Sequence, residues 1–138
     1  MKWADQLIKI TTFEVELLQK RLSEIVERRV RAEMRMAVLV AEGEVELMRA
    51  REDVQASFYL AAFQTGLKQR KAQVQAEIDE ALQEEAGARD ALSEAFEAQK
   101  KYEQIADNAR QAERREADRR ETAAMDEIGL RKVASGRG

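Results

Sequence analysis

Residues 57–66 read SFYLAAFQTG and hold three of the chain's seven aromatics, Phe58, Tyr59 and Phe63. The stretch decides the fold because an apolar stripe approaches it from each side and the two stripes do not share a phase. Upstream, alternating steps of three and four give Ile8, Thr11, Val15, Leu18, Leu22, Ile25, Arg29, Ala32, Met36, Leu39, Gly43, Glu46 and Ala50. Nine of these thirteen are apolar, a heptad seam. Continued past Ala50, the steps meet Asp53 and Ser57. Downstream, Leu67, Val74, Ala81, Ala88, Ala95, Tyr102, Ala109, Glu116, Ala123 and Leu130 lie seven apart. Their complementary positions, Lys71, Ile78, Glu85, Leu92, Gln99, Ala106 and Glu113, alternate polar with apolar, and Leu82, Phe96 and Ile105 widen the stripe.

Two stripes out of phase imply two helices, about 5–55 and 66–132, joined by a tip near 54–66 and followed by a frayed tail at 133–138. The expected fold is all-α, one coiled-coil domain folded as a long antiparallel hairpin with its termini together. Gly66, closing the aromatic patch, is read as a flexible or left-handed position. The rival architecture is one continuous helix in a parallel dimer. The phase reset and the aromatic cluster argue against it.

Composition agrees with a narrow seam. The chain of 138 residues is 37% charged and 5% aromatic, with no proline, cysteine or histidine. So few bulky groups cannot fill a layered core. Alanine layers let two backbones approach but bury little area at about 25 cal/mol per Å². The seam is therefore expected to be strongest at Val15, Leu18, Leu22, Ile25, Met36 and Leu39. Polar seam residues such as Arg29, Gln99 and Glu113 weaken it and can specify register.

The same composition removes whole classes of chemistry. Without histidine or cysteine the usual base, nucleophile and soft metal ligands are missing, and no phosphate-cradling glycine motif occurs. We read no enzyme, no cofactor and no metal. The acidic run at 77–97 reads as a solvated face. Arginine clusters at 28–35 and 110–120 are interleaved with acids, and net charge is −3. That pattern does not point to nucleic acid. The opening MKWADQLIKITTFEVELLQ is interrupted by charges and does not read as a secretory signal. No segment reaches the roughly 18 apolar residues of a membrane span, so a soluble, cytoplasmic protein is expected. The aromatic patch is either a plug closing the hairpin or a surface that binds a partner.

Residues 100–132, KKYEQIADNARQAERREADRRETAAMDEIGLRK, together with FEVELLQKRLSEI at 13–25, resemble the FliJ family of flagellar type III export proteins. The features that carry the resemblance are Tyr102–Glu103, the Arg/Glu-rich stretch, Glu121 and MDEI at 125–128. Equivalent stalk proteins of virulence-type secretion look similar. The resemblance implies a non-enzymatic stalk, similar in fold to the central stalk of rotary ATPases. Its terminal end would sit in the hexameric export ATPase ring, and its tip region would meet the cytoplasmic part of the export gate. It would also handle export chaperones and work at the cytoplasmic face of the export apparatus. Matching gate positions are Leu39, Phe63 and Leu67, with Phe58 and Tyr59 beside them. Glu42, Glu46 and Arg70 depart from the family's pattern there. Arg114, Arg115, Arg119 and Arg120 are the candidates for ATPase contact. The alternative is a generic coiled-coil adaptor that binds another protein through its aromatic tip.

Overall fold

A computed structural model describes residues 2–136 as two helices, α1 (Lys2–Glu52, 51 residues) and α2 (Val54–Gly136, 83 residues). They pack against each other as a helical hairpin, the all-α fold expected. The antiparallel sense is recorded by the cross-helix pairs. Asp5 meets Arg110, Thr12 meets Gln99, Arg29 meets Glu85 and Glu42 meets Arg70, so one number falls as the other rises. The continuity of each helix follows from the absence of proline, the one residue that removes a ladder donor and clashes with the preceding turn.

The break is narrower than the phase reset suggests. Among the described residues Asp53 alone is non-helical, and the aromatic stretch lies inside α2 rather than in a loop. Asp53 ends one ladder and starts the next. Its N–H donates to Arg49 O at 2.9 Å, and its own carbonyl accepts from Ser57 N–H at 3.2 Å. Its carboxylate accepts from Gln55 N–H at 2.9 Å, the N-cap bond that satisfies an otherwise orphaned donor of α2. No glycine among the described residues has a positive φ, so Gly66 is an ordinary helical residue. The expected frayed tail is helical through Gly136, and its last two positions lie outside the described residues.

The chain divides into two compact units, Val15–Glu94 and Met1–Glu14 with Ala95–Gly138. In the first, Val15, Ile25, Ala32, Leu67, Val74, Ile78, Ala81 and Ala88 are buried. Met36 and Leu39 pack against the cluster of Ala32, Val74 and Ile78. Leu18, Leu22, Met36 and Leu39 are only half-buried, as a two-helix seam with open sides requires. Near the tip the helices come close at Gly43, where an added Cβ would stand 2.7 Å from Leu67 Cδ2.

One layer of this seam is ionic. Arg29 Nε donates to Glu85 Oε2 at 2.8 Å across the helices, and its Nη1 donates to Glu33 at 2.9 Å. Arg89 donates to the other oxygen of Glu85 at 2.8 Å. Glu85 is buried, and both its oxygens are satisfied. Arg28–Glu84 and Arg35–Glu77 flank the layer. The acidic run at 77–97 is thus partly spent on interhelical pairing. Hydrogen bonds from Arg89 and then Arg29 hold the Glu85 carboxyl below the usual carboxylate range, against desolvation that works the other way.

In the second unit the seam is built from small residues. Ala4, Ala95 and Ala106 are buried, and so is Thr11, whose hydroxyl donates back to Leu7 O and Ile8 O. Gln99 Nε2 donates to Thr12 Oγ1 at 3.1 Å, and Arg110 pairs with Asp5 at 2.8 Å. Beyond Arg110 every described residue of α2 is exposed. Residues 111–136 are roughly 40 Å of helix at 1.5 Å per residue with no helix beside them.

Three stability outcomes follow. Gly66 and Gly87 are helical with nothing near an added Cβ. Gly66→Ala and Gly87→Ala should each stabilise the chain by about 0.5–1 kcal/mol in thermal or urea melts. Gly43→Val instead drives into buried Leu67 and should cost about 1–3 kcal/mol. The Glu85 contribution, arising from a lowered folded pKa, is complete above the ordinary carboxylate value and lost as pH falls through the folded one. Melting temperatures of the native chain and of Glu85→Gln should therefore differ most near neutral pH and converge in acid. A gap that is independent of pH contradicts the assignment.

Candidate partner-binding surfaces

Three surfaces present side chains that the hairpin itself does not use. The first is the start of α2. Asp53 caps the helix, and the first turns carry Val54, Phe58 and Tyr59 outward, with Phe58 78% and Tyr59 74% exposed. These rings do not plug the hairpin. They are paired with no other described aromatic.

The second lies beside the first on both helices. Phe63 is half-buried and closes a groove of about 390 Å³ with Val38, Ala41, Glu42, Val45 and Glu46. The Arg70 guanidinium lies over its ring, 5.8 Å from the centroid, and reaches Glu42 at 3.9 Å. A cation over a ring contributes about 0.5–1 kcal/mol at such an exposed site. Arg70 and Glu42 are two of the residues that depart from the family's pattern. They form a charged cover over Phe63. Across the seam a second groove, of about 460 Å³, is lined by Val40, Gly43, Leu47, Leu67, Lys68 and Lys71, among others.

Leu39 and Leu67 occupy a different position from the rings. Leu67 is buried beneath Gly43, and Leu39 packs on the core cluster. They support the groove walls from within the seam. The residues that sequence reasoning left out are Val38, Ala41 and Val45. Their signal was present as a second period on α1, offset from the seam stripe.

The third surface is the overhang 111–136. Arg114, Arg115, Arg119 and Arg120 are exposed there, the last two paired with Glu116 at 3.6 and 3.5 Å. The helix also exposes Met125, Ile128, Leu130 and Val133. At 100° per residue these four spread over roughly 200° of the circumference. Apolar groups on several sides suit a helix that is surrounded, whereas a single stripe would suit one neighbour. Among the described residues no group of three or more acidic side chains is placed to hold a metal ion. No described helix is long and apolar enough to cross a membrane.

A family model described as "Flagellar FliJ protein" matches residues 4–138. The chain belongs to the flagellar FliJ family. Curated FliJ proteins of two Caulobacter vibrioides strains, NA1000 / CB15N and ATCC 19089 / CB 15, are each 49% identical to it over 135 residues. The alignment covers 98% of this chain and 97% of either relative. No solved structure matches the chain. Membership in the family makes this hairpin a non-catalytic component of flagellar export.

Proposed function

We propose that the chain is the stalk of the flagellar export ATPase, inserted into the hexameric ring through the overhang of α2 and meeting the export gate through the tip. The observation that carries this reading is the unpaired helix 111–136, exposed throughout and apolar on several sides. A helical segment without a packed face lacks the tertiary contacts that supply most helical stability, and it gains from being enclosed. Arg114, Arg115, Arg119 and Arg120 offer charge to an acidic ring lining. At the other end Phe58 and Tyr59, with Phe63 in its groove, form the gate-facing surface. The work is done at the cytoplasmic face of the export apparatus, and the FliJ resemblance adds export chaperones as cargo handled there. The equivalent role in virulence-type secretion and the generic adaptor are less well supported, because the family match is flagellar.

The test separates the two ends. The full chain should stimulate oligomerisation and hydrolysis by the cognate export ATPase. A chain truncated after Arg110 should keep the hairpin's thermal transition and lose that stimulation. Phe58→Ala with Tyr59→Ala removes only exposed rings, so stability should stay within about 0.5 kcal/mol. This double variant should stimulate the ATPase normally and bind the gate's cytoplasmic domain at least about tenfold more weakly, as loss of hot-spot aromatics does. A truncated chain that stimulates fully contradicts the stalk reading.

A further inference from the structure

The reversal of the chain rests on one side chain. Between Gly43 and Gly66 there is no glycine, proline or asparagine, so Asp53 and Ser57 alone are of the turn-forming types. No described residue there has a positive φ. Two backbone bonds span the junction, Asp53 N–H to Arg49 O and Ser57 N–H to Asp53 O. A continuous helix would add three, from the N–H groups of Val54, Gln55 and Ala56 to the carbonyls of Ala50, Arg51 and Glu52. What stands in their place is the Asp53 carboxylate, which accepts from Gln55 N–H.

The seam does not oppose a continuous helix either. The steps of three and four that define the α1 stripe run on from Asp53 and Ser57 to Leu60, Gln64, Leu67, Lys71 and Val74. What reads in sequence as a reset of phase is two polar positions on one heptad frame. A helix running through residue 53 would keep the whole stripe on one face.

The cross-helix pairs are ones that a second chain can make. Asp5–Arg110, Thr12–Gln99, Arg29–Glu85, Glu42–Arg70 and Gly43–Leu67 all have their midpoints between positions 55 and 58. Two opened chains laid antiparallel about that point would form each pair twice, every residue meeting its usual partner on the other copy. That is the reciprocity a two-fold axis requires. The closed hairpin and the exchanged pair then share their seam layers and differ only near the axis. There the register of Gly43–Leu67, carried on, sets Ala50 against Leu60 and Asp53 against Ser57 of the other copy. Two carboxylates enter the central layers, and charge without a partner in a seam is costly. Asp53 acts twice, capping α2 in the hairpin and placing charge inside the alternative.

We infer that Asp53 is the lock that keeps this chain a hairpin, and that without its carboxylate α1 and α2 fuse into one helix and two copies exchange helices about an axis near Ala56. The partner is a second copy because the seam of each helix is already matched to the other helix, and no exposed face is required. A short hinge between packed elements is where such exchange arises.

Sedimentation equilibrium of Asp53→Leu should show a dimer, with a dissociation constant at least about tenfold below that of the native chain, since two caps are lost per dimer. Its helical circular dichroism should be retained. Asp53→Asn keeps a capping oxygen and should sediment as the native chain does. The chain has no cysteine, so disulfides can report exchange, and Arg35 and Glu77 pair across the seam. Arg35→Cys and Glu77→Cys on separate Asp53→Leu chains, refolded together and oxidised, should join the two chains. On one chain with Asp53 retained, the same two cysteines should close within that chain. An Asp53→Leu variant that is monomeric at every concentration overturns the inference, as does loss of its helical signal, because the exchanged pair retains the seam. A dimer whose separate cysteines do not join is two closed hairpins side by side and overturns it as well. So does Asp53→Asn dimerising as strongly as Asp53→Leu.

Discussion

Arg29 reaching across the seam to Glu85 is the constraint on which the rest of this hairpin depends. Aliphatic and alanine layers supply attraction but little specificity, since a heptad seam slipped by one repeat would still be mostly apolar. An ionic layer does not tolerate the slip. Displaced by seven residues, Glu85 would leave Arg29 and enter an apolar layer with one of its two arginine partners lost, keeping only Arg89 of its own helix. Arg28–Glu84 and Arg35–Glu77 add cross-helix pairs on the open sides, and the alanine-built unit has its own in Asp5–Arg110. Register is fixed by polar residues, and cohesion comes from apolar ones.

The overhang is a consequence of register and length. With Asp5 opposite Arg110, the described part of α1 runs out while α2 still has residues 111–136 to go. Those residues keep the seam's seven-residue period in Glu116, Ala123 and Leu130, yet all are exposed. The period outlasts the partner helix. At the opposite end of α2, Asp53 reverses the chain within a single non-helical residue, so Phe58 and Tyr59 begin a rigid helix and not a mobile loop. A rigid presentation of rings lowers the ordering cost of contact.

Much of this was legible in the sequence. The stripe positions Val15, Ile25, Ala32, Leu67, Val74, Ala81, Ala88 and Ala95 are the buried ones, because helical periodicity follows directly from burial on one side. Glu85 was visible as a polar layer, though its partner was not, since spacing within a helix is silent about register between helices. The tip was misplaced by several residues. A polar interruption of the stripe was read as a loss of phase and so as a loop, but a chain can reverse at one capped residue, and Gly66 needs no special conformation to be there. Leu39 and Leu67 were assigned to the surface by resemblance. Their place in the seam follows from the same stripe that buries Val74. The continued period beyond residue 110 concealed the overhang, because periodicity records the face and not whether anything covers it.

Hydrogen exchange read along α2, with and without the cognate export ATPase, tests the stalk account most directly. The account predicts that amides of residues 111–136 exchange fast in the free chain, far ahead of those around Val74 and Ile78, and become protected when the ring assembles. The amides of residues 54–63 should keep their free rates in that complex. Protection confined to the aromatic end of α2, with the overhang still exchanging as in the free chain, would contradict it.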